Sequence, residues 1–340
     1  MTEPEPSPPL TPASRRELEE AILGQEPRLT SHQVADGAGV SLDVARQLWR
    51  ALGFPDVGDD LAFTDADLDA LGLLRGTIES GEVDFETVIR LTRAVGHTMA
   101  RLADWQVATL SDQIETGVEM PGRVRPAEIT SDGLGAARMA QYIGPVFERL
   151  LVYAWRRHLA AAAGRAAALG AADEDLLTAQ LTVGFADLVA FTQLSNGLDD
   201  DSLGDLVETF ESEVADVIAS QGARLIKTLG DSVLFVTENA TAGVDTALRL
   251  VEAIGADDQL PDVRVGMASG PVVTRLGDVF GTPVNLAARL TSVARRNRVI
   301  VDPDTASRLP RDRFETRVLT ARPLRGFGSV EPVAVRRRVS

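Results

Sequence analysis

Lys227 is the only lysine among the 34 basic residues of this 340-residue chain, so every other fixed cation is an arginine. A lysine ammonium can turn three donors onto one acceptor, whereas arginine presents a rigid planar fork. Two carboxylates that could act with it, Asp187 and Asp231, lie in the same half of the sequence. Carboxylate oxygens suit a hard cation such as Mg²⁺ or Mn²⁺, especially where phosphate completes the coordination. Taken one at a time, each aspartate is also explained as a helix cap or a β-turn residue.

Asn285 and Arg289 are four residues apart on a predicted helix, so they share one face. Asparagine could position a ribose oxygen, and arginine could stabilise charge that builds on a phosphoryl group. A structural asparagine and a solvated arginine are the alternative interpretation. Asp278 precedes the same helix, and its carboxylate could accept from an exocyclic amine while Lys227 donates to a ring nitrogen. That combination matches the edge of adenine, because guanine presents the reverse pattern of donors and acceptors.

The elements that must position these residues follow position 170. Strands are predicted at 181–186, 223–229, 232–237, 263–268, 272–275 and 298–301, and helices at 201–221, 241–254 and 282–295. The order βαββαβ predicts a ferredoxin-like layer, in which helices cover one face of an antiparallel sheet. Asp187 would then end the first strand and Asp231 would occupy the following hairpin turn. Because the two strands concerned are commonly neighbours in such a layer, both carboxylates could reach one point at the sheet edge.

The first half of the chain has helical periodicity throughout, so the fold class is α+β with an all-α region before the ferredoxin-like domain. Helices are predicted at 14–23, 85–110 and 134–169, with a loop at 117–135 that is rich in proline and glycine. We expect a disordered tail at 1–14, a helical regulatory domain at 15–133, a helical connector at 134–170 and a catalytic domain at 171–340.

Composition limits the classes of function. A net charge of −16 and a pI of about 4.7 argue against a nucleic-acid or anionic-membrane partner, which requires a basic surface. The chain has no cysteine, which excludes disulfides and thiolate chemistry. It also lacks a signal-peptide pattern and any run of about 18 apolar residues that could span a bilayer. We therefore expect a cytoplasmic protein.

Residues 181–339 resemble the catalytic domain of class III adenylyl cyclases. The resemblance rests on the segments around Asp187, around Lys227 and Asp231, and from Asp278 to Arg289. It implies that Asp187 and Asp231 bind metal together with the backbone carbonyl of Leu188, that Lys227 and Asp278 select adenine, that Asn285 orients the ribose, and that Arg289 stabilises the transition state. It also implies nucleotide contacts from Phe191 and Thr192, at a helix start whose free N–H groups suit a triphosphate. Arg325 matches a basic residue that contacts the terminal phosphates.

The family resemblance further implies a mechanism and a partner. Two Mg²⁺ or Mn²⁺ ions per site would activate the ribose 3′-hydroxyl of ATP for attack on the α-phosphorus, giving 3′,5′-cyclic AMP and pyrophosphate. The catalytic domains of the family act as head-to-tail dimers. We therefore expect a homodimer whose two sites each take the metal-binding aspartates from one subunit and the remaining residues from the other. A catalytically silent nucleotide sensor is the alternative.

The helical region is similar to the regulatory domain of soluble actinobacterial cyclases, in which an autoinhibitory domain responds to pH. Histidine titrates in the relevant range, and His158, after two arginines on the connector, is the preferred candidate sensor. A surface histidine without a role is the alternative, and a lipid ligand of this region stays open. Residues 30–54 also resemble a helix-turn-helix with Arg46 and Arg50 on its second helix, so a DNA-binding regulator is a further alternative. The acidic neighbours favour a structural role instead.

Overall fold

The structure is a computed structural model that describes residues 12–115, 134–168, 178–275 and 277–338. The chain divides into two compact units, Met1–Ala162 and Ala163–Ser340. Each unit is described by itself below. The segment predicted as a proline- and glycine-rich loop and most of the predicted N-terminal tail lie outside the described residues.

The described part of the first unit contains helices and one isolated β-bridge between Leu29 and Phe63. Its helices are α1 (Pro12–Leu23), α2 (Ser31–Ala38), α3 (Leu42–Leu52), α4 (Asp65–Glu79) and α5 (Phe85–Glu115), and α6 (Leu134–Ala168) crosses into the second unit. Helix α1 begins two residues earlier than predicted, so residues 12–14 do not belong to the tail. Proline suits a first helical turn, because the N–H that it lacks would have had no partner there.

Local sequence explains the helix pair α2 and α3. The side chain of Thr30 accepts from the N–H of Gln33, and the Gln33 side chain accepts from the N–H of Thr30, which forms a capping box. Gly39 ends α2 in the left-handed conformation, with φ 70°. Trp49 of α3 stacks on Phe63 with 4.4 Å between ring centroids, and both rings belong to the hydrophobic core of the unit. Two consecutive helices thus lie where the sequence resembles a helix-turn-helix.

Arg46 and Arg50 do not form a common exposed surface on α3. Arg50 is exposed, whereas Arg46 is partly buried beside the Trp49 and Phe63 rings, where its Nε has no hydrogen-bond partner among the described residues. One exposed arginine on this helix gives little support to DNA binding, which requires a basic face.

The second unit is built on one large mixed sheet. Its strands are β1 (Thr178–Leu188), β2 (Arg224–Leu229), β3 (Ser232–Thr237), β4 (Val263–Arg275), β5 (Asp278–Phe280), β6 (Arg298–Val301), β7 (Phe314–Val318), β8 (Arg322–Leu324), β9 (Gly328–Val330) and β10 (Val333–Arg337). The main sheet has the order β2-β3-β1-β4-β6-β10-β7, β5 extends it beside β4, and β8 and β9 form a separate hairpin. The helices are α7 (Phe191–Ser195), α8 (Asp200–Ser220), α9 (Ala240–Ile254), α10 (Thr282–Val293) and α11 (Pro303–Ser307).

The predicted α+β class with a ferredoxin-like βαββαβ core is confirmed, although several features differ from expectation. The strands predicted at 263–268 and 272–275 are one continuous strand, β4. The sheet is not purely antiparallel either, because β6 pairs with β4 in parallel. The short strands β5 and β7 to β10 were not predicted, since three to five residues carry too little alternation to distinguish a strand from a loop.

Helices cover both faces of the sheet rather than one. Val265 and Met267 of β4 pack against α8 and α9, whereas Ala268 of the same strand packs with Ala287 of α10. Successive side chains of a strand point to opposite faces, so α10 lies on the face opposite α8 and α9. Among the described helices, none combines the length and the apolar character that a bilayer-spanning segment requires.

Candidate active site

The two predicted metal-binding aspartates lie together at one end of the central strands. Asp187 is opposite Ser232, the residue after Asp231, in the β1–β3 pairing. The N–H of Leu188 donates to the backbone carbonyl of Asp231 over 2.9 Å. Partial burial raises the pKa of Asp231, and the negative charge of Asp187 raises it further. Two carboxylates that repel each other in this way form a donor set that fits a hard divalent cation.

Arg264 is a residue of this site that sequence reasoning missed. It lies opposite Asp187 in the β1–β4 pairing, and its Nε donates to Oδ2 of Asp187 over 2.8 Å. Its Nη1 also donates to the carbonyl of Ser292 near the end of α10, over 3.3 Å. The charge of Arg264 compensates the carboxylate of Asp187, whose side chain is only 19% exposed. An arginine inside the predicted strand 263–268 was the available signal, because a cation in a central strand needs a partner.

The turn after β1 is formed by Leu188 to Thr192. Leu188 is buried, and Ala190 adopts the left-handed conformation with φ 60°, which turns the chain sharply into the short helix α7. Phe191 packs against the core beneath α8 and α9, whereas Thr192 is exposed. The backbone of this turn therefore lies directly beside Asp187, and the roles of its residues stay predictions.

Lys227 and Asp278, which are 51 positions apart, meet in the structure. The Nζ of Lys227 donates to Oδ2 of Asp278 over 2.5 Å. The other carboxylate oxygen of Asp278 accepts from the N–H of Val279 over 2.8 Å, which fixes its orientation. The two side chains are 34% and 29% exposed. Both groups therefore remain accessible to a ligand while each holds the other in place.

Asn285 and Arg289 lie on the exposed side of α10, the helix that packs on the sheet through Ala287, Leu290 and Thr291. Neither side chain makes a hydrogen bond or an ion pair with another described side chain in this chain. Both groups are therefore accessible to a ligand or to a second subunit.

Arg325 lies in the turn of the β8–β9 hairpin. Its side chain is exposed and has no ion-pair partner among the described residues, whereas the neighbouring Leu324 is buried against Leu290 of α10. The structure does not bring Arg325 into contact with the other predicted site residues.

The two pairs share one face of the sheet. Lys227 pairs with Leu234, and Leu234 pairs with Phe185, two residues before Asp187. Residues that pair across strands, and residues two apart on one strand, point to the same face. Lys227 and Asp187 are therefore on the face that α10 covers, with Cα atoms roughly 12 Å apart from a rise of about 3.3 Å per residue and about 4.8 Å between strands.

Comparison with known proteins identifies the same segment. Residues 177–336 match the family described as the adenylate and guanylate cyclase catalytic domain. An adenylate cyclase of Streptomyces coelicolor is 41% identical over 348 aligned positions, which cover 94% of this chain and 89% of that protein. A protein named pH-sensitive adenylate cyclase from Mycobacterium tuberculosis is 31% identical over 340 positions, covering 97% and 83% of the two chains.

Solved structures also align with about half of this chain. The catalytic core of a rhodopsin-guanylyl cyclase with converted specificity, in complex with ATPαS, aligns over 47% of this chain and 97% of its own, with 25% identity and a TM-score of 0.45. The adenylyl cyclase CyaB from P. aeruginosa aligns over 48% of this chain with 22% identity and a TM-score of 0.44. The similarity to the Streptomyces protein extends over nearly the whole length of both chains, and on that ground this chain belongs to the class III adenylyl cyclase family.

Proposed function

We propose that this enzyme converts ATP to 3′,5′-cyclic AMP and pyrophosphate. The observation that carries the proposal is the Lys227–Asp278 ion pair, which lies on the same sheet face as Asp187, the carboxylate whose charge raises the pKa of Asp231. The first pair offers a donor and an acceptor that match the adenine edge, and the second offers oxygen ligands for a metal-bound triphosphate. Each chain thus carries both sets of groups, and a head-to-tail pair of chains would bring the base-binding pair of one copy to the carboxylates of the other.

Enzymes of this family use divalent metals, and the carboxylates of Asp187 and Asp231 fit such ions by charge and donor type. These residues, with the backbone carbonyl of Leu188, would hold two Mg²⁺ or Mn²⁺ ions per site. When bound, the metal supplies charge that favours loss of the 3′-hydroxyl proton and neutralises the triphosphate. Arg264 forms an ion pair with the carboxylate of Asp187. When metal and ATP bind, its guanidinium would share that carboxylate or turn to phosphate oxygens, because guanidinium binds both groups well.

The remaining residues position the nucleotide. Lys227 donates to the ring nitrogen and Asp278 accepts from the exocyclic amine. Asn285 holds the ribose so that its 3′-oxygen is in line with the α-phosphorus, and Arg289 stabilises the charge that develops as that oxygen attacks. The new bond joins the 3′-oxygen to the α-phosphorus. The bond to the bridging oxygen of the β-phosphate breaks, and pyrophosphate leaves.

The outer parts of the nucleotide would meet the turn after β1 and the β8–β9 hairpin. In this proposal the N–H groups of Phe191 and Thr192, at the start of α7, would donate to phosphate oxygens. Arg325 would contact the terminal phosphates from its exposed turn. These contacts would contribute binding and orientation, which is the main source of catalysis in phosphoryl transfer.

A direct assay tests the activity. Purified full-length protein is incubated with ATP and Mn²⁺, and cyclic AMP is measured by mass spectrometry across pH. Formation of cyclic AMP that disappears in an Asp187→Ala variant supports the proposal. Nucleotide binding without turnover under every condition would identify the chain as a silent nucleotide sensor instead.

The site is proposed to form between two copies of the chain. Asp187 and Asp231 would come from one subunit, and the other would supply Lys227, Asp278, Asn285 and Arg289. The exposure of Asn285 and Arg289 supports this arrangement, because neither group contacts the aspartates of its own chain. An Asp187→Ala/Asp231→Ala variant and an Asn285→Ala/Arg289→Ala variant should each be inactive.

Subunit exchange between these two variants should restore up to about a quarter of the wild-type activity, since half the dimers are mixed and each holds one intact site. Mixing two preparations that both lack the aspartates is the matched control. If the mixture of complementary variants stays inactive although mixed dimers form, the sites are not shared.

Regulation by the helical unit is proposed on two grounds. The M. tuberculosis relative is named pH-sensitive, and α6 runs without interruption from the first unit into the second. His158 lies exposed on α6 after two arginines, where protonation would add charge to this helix. A lipid ligand of the helical unit has no support among the described residues.

A further inference from the structure

Four polar side chains form a continuous hydrogen-bonded chain on the sheet face opposite α10. The Oγ1 of Thr305 bonds the carboxylate of Asp302 and lies 2.8 Å from Oγ of Ser269. Ser269 Oγ lies 2.8 Å in turn from Oγ1 of Thr182. Thr182, Asp302 and Thr305 are buried. Because breaking any of these hydrogen bonds would leave a buried polar group without a partner, this hydrogen-bonded chain resists changes in the distances between its four side chains.

Helix capping accounts for only two of the four side chains, those of Asp302 and Thr305. Asp302 is the N-cap of α11, and its carboxylate accepts from the N–H groups of Asp304 and Thr305. The side chains of Ser269 and Thr182 take no part in that cap, since these residues lie on β4 and β1, although the backbone N–H of Ser269 also bonds the carboxylate of Asp302. The hydroxyl groups therefore tie three separate elements together, which a cap by itself does not require.

Ser269 lies where β4 changes its neighbours. Up to Met267 the strand pairs with β6, and from Val273 onward it pairs with β5. Between these stretches β4 has a sheet neighbour on the β1 side only. The hydroxyl contacts to Thr305 take the place of the missing strand contact on the other side.

This section of β4 supports two parts of the candidate site. A Cβ on Gly270 would lie 2.9 Å from the ring of Pro283, and one on Gly281 would lie 3.0 Å from the carbonyl oxygen of Pro271, so the strand touches the start of α10 closely. Asn285 follows in the first turn of α10. The same strand then pairs with β5, whose first residue is Asp278.

We propose that the chain from Asp302 through Thr305 and Ser269 to Thr182 holds this section of β4 and thereby positions Asp278 and Asn285. Thr305 and Ser269 are then positioning residues for the base and ribose contacts, and this inference rests on the function proposed above. They act from the opposite face of the sheet and do not touch the nucleotide.

Paired substitutions test the proposal. Thr305→Val removes the hydroxyl while keeping the shape, Thr305→Ser keeps the hydroxyl, and Ser269→Ala breaks the chain at a less buried point. Thr246→Val is the matched control, because Thr246 is equally buried but bonds only the carbonyl of Ala242 within α9. Activity is measured per folded molecule, together with the preference for ATP over GTP.

We expect Thr305→Val and Ser269→Ala to lower kcat/KM for ATP about tenfold and to reduce the preference for ATP over GTP, because Asp278 and Asn285 would be misplaced. Thr305→Ser and Thr246→Val should stay within about twofold of the wild type. The N–H groups within residues 271–285, where Pro271 and Pro283 have none, should exchange with solvent at least tenfold faster in Thr305→Val and Ser269→Ala only.

The exchange measurement keeps the two proposals distinguishable. If the wild type forms no cyclic AMP, the proposed function fails, while exchange at 271–285 still decides whether the hydroxyl chain holds β4. Unchanged exchange in Thr305→Val overturns the positioning role. Faster exchange with unaltered turnover and unaltered base preference also overturns it, because the chain would then serve stability alone.

Discussion

Replacing Gly266 by alanine should disrupt the contact between α10 and the sheet. A Cβ at this position of β4 would lie 2.2 Å from the backbone nitrogen of Thr291 and 2.7 Å from the carbonyl oxygen of Ala287. Ordinary van der Waals contact begins at 3.4 Å, so the closest approach is 1.2 Å too short (3.4 − 2.2). Both atoms belong to the helix backbone and cannot rotate away. The whole of α10 must therefore shift.

The magnitude follows from two costs. Overpacking of a filled core costs about 1–3 kcal/mol. Moving α10 also breaks the bond from the Thr291 hydroxyl to the carbonyl of Phe185, now 3.3 Å long, for about 1 kcal/mol more. We expect the free energy of unfolding of the second unit to fall by about 3 kcal/mol. Because α10 carries Asn285 and Arg289, a shift of about 1 Å should also lower kcat about 100-fold.

The assay must report on the second unit alone. All three tryptophans, Trp49, Trp105 and Trp155, lie in the first unit, so their fluorescence would not serve. Hydrogen exchange of the central β1 and β4 amides at increasing urea gives the opening free energy of the sheet itself.

Gly204→Ala is the matched control for Gly266→Ala. Gly204 lies within α8, and a Cβ there would meet nothing within 4 Å. Alanine at this helical position should stabilise the unit by about 0.5–1 kcal/mol and leave activity unchanged. If Gly266→Ala instead matches the wild type within about 1 kcal/mol and retains full activity, the tight packing of α10 on β4 is not what positions Asn285 and Arg289.

Further predictions concern the base, the metal and pH. Lys227→Met should lower kcat/KM for ATP about 100-fold, because losing the base contact and leaving Asp278 unpaired cost about 1.5 kcal/mol each. If kcat/KM falls equally for ATP and GTP, Lys227 does not select the base. The pKa of Asp231 is raised by burial and then by the charge of Asp187, so this carboxyl group is fully ionised only at pH values above its raised pKa. Below it a proton competes with the metal, so Mn²⁺ affinity measured by calorimetry should fall about tenfold per pH unit, and affinity that stays constant on acidification would refute this. His158→Ala should shift the pH–activity curve, and an unchanged curve would remove this residue from regulation.

Residue types and periodicity alone were enough to predict the candidate site residues and the long regular elements of the second unit. Strands β3 and β6 have the bounds that alternation predicts, and α8, α9 and α10 agree within two residues at each end, because amphipathic periodicity is a local property. The residue types at Lys227 and Asp278 also indicated a complementary pair, since one ammonium in a chain of arginines is a distinctive donor. Family resemblance then gave the expected roles.

Contacts between distant residues, and the sheet face on which each helix lies, are set by the folding of the whole unit. Arg264 contacts Asp187 across 77 positions, and α10 lies on the sheet face opposite α8 and α9. The hydroxyl chain from Thr182 to Thr305 spans three elements. No local pattern encodes such contacts, because strand order and the choice of face result from the packing of the whole unit. A sequence window holds the periodicity of one element, whereas partners far apart in the chain are selected by the shape of the assembled core.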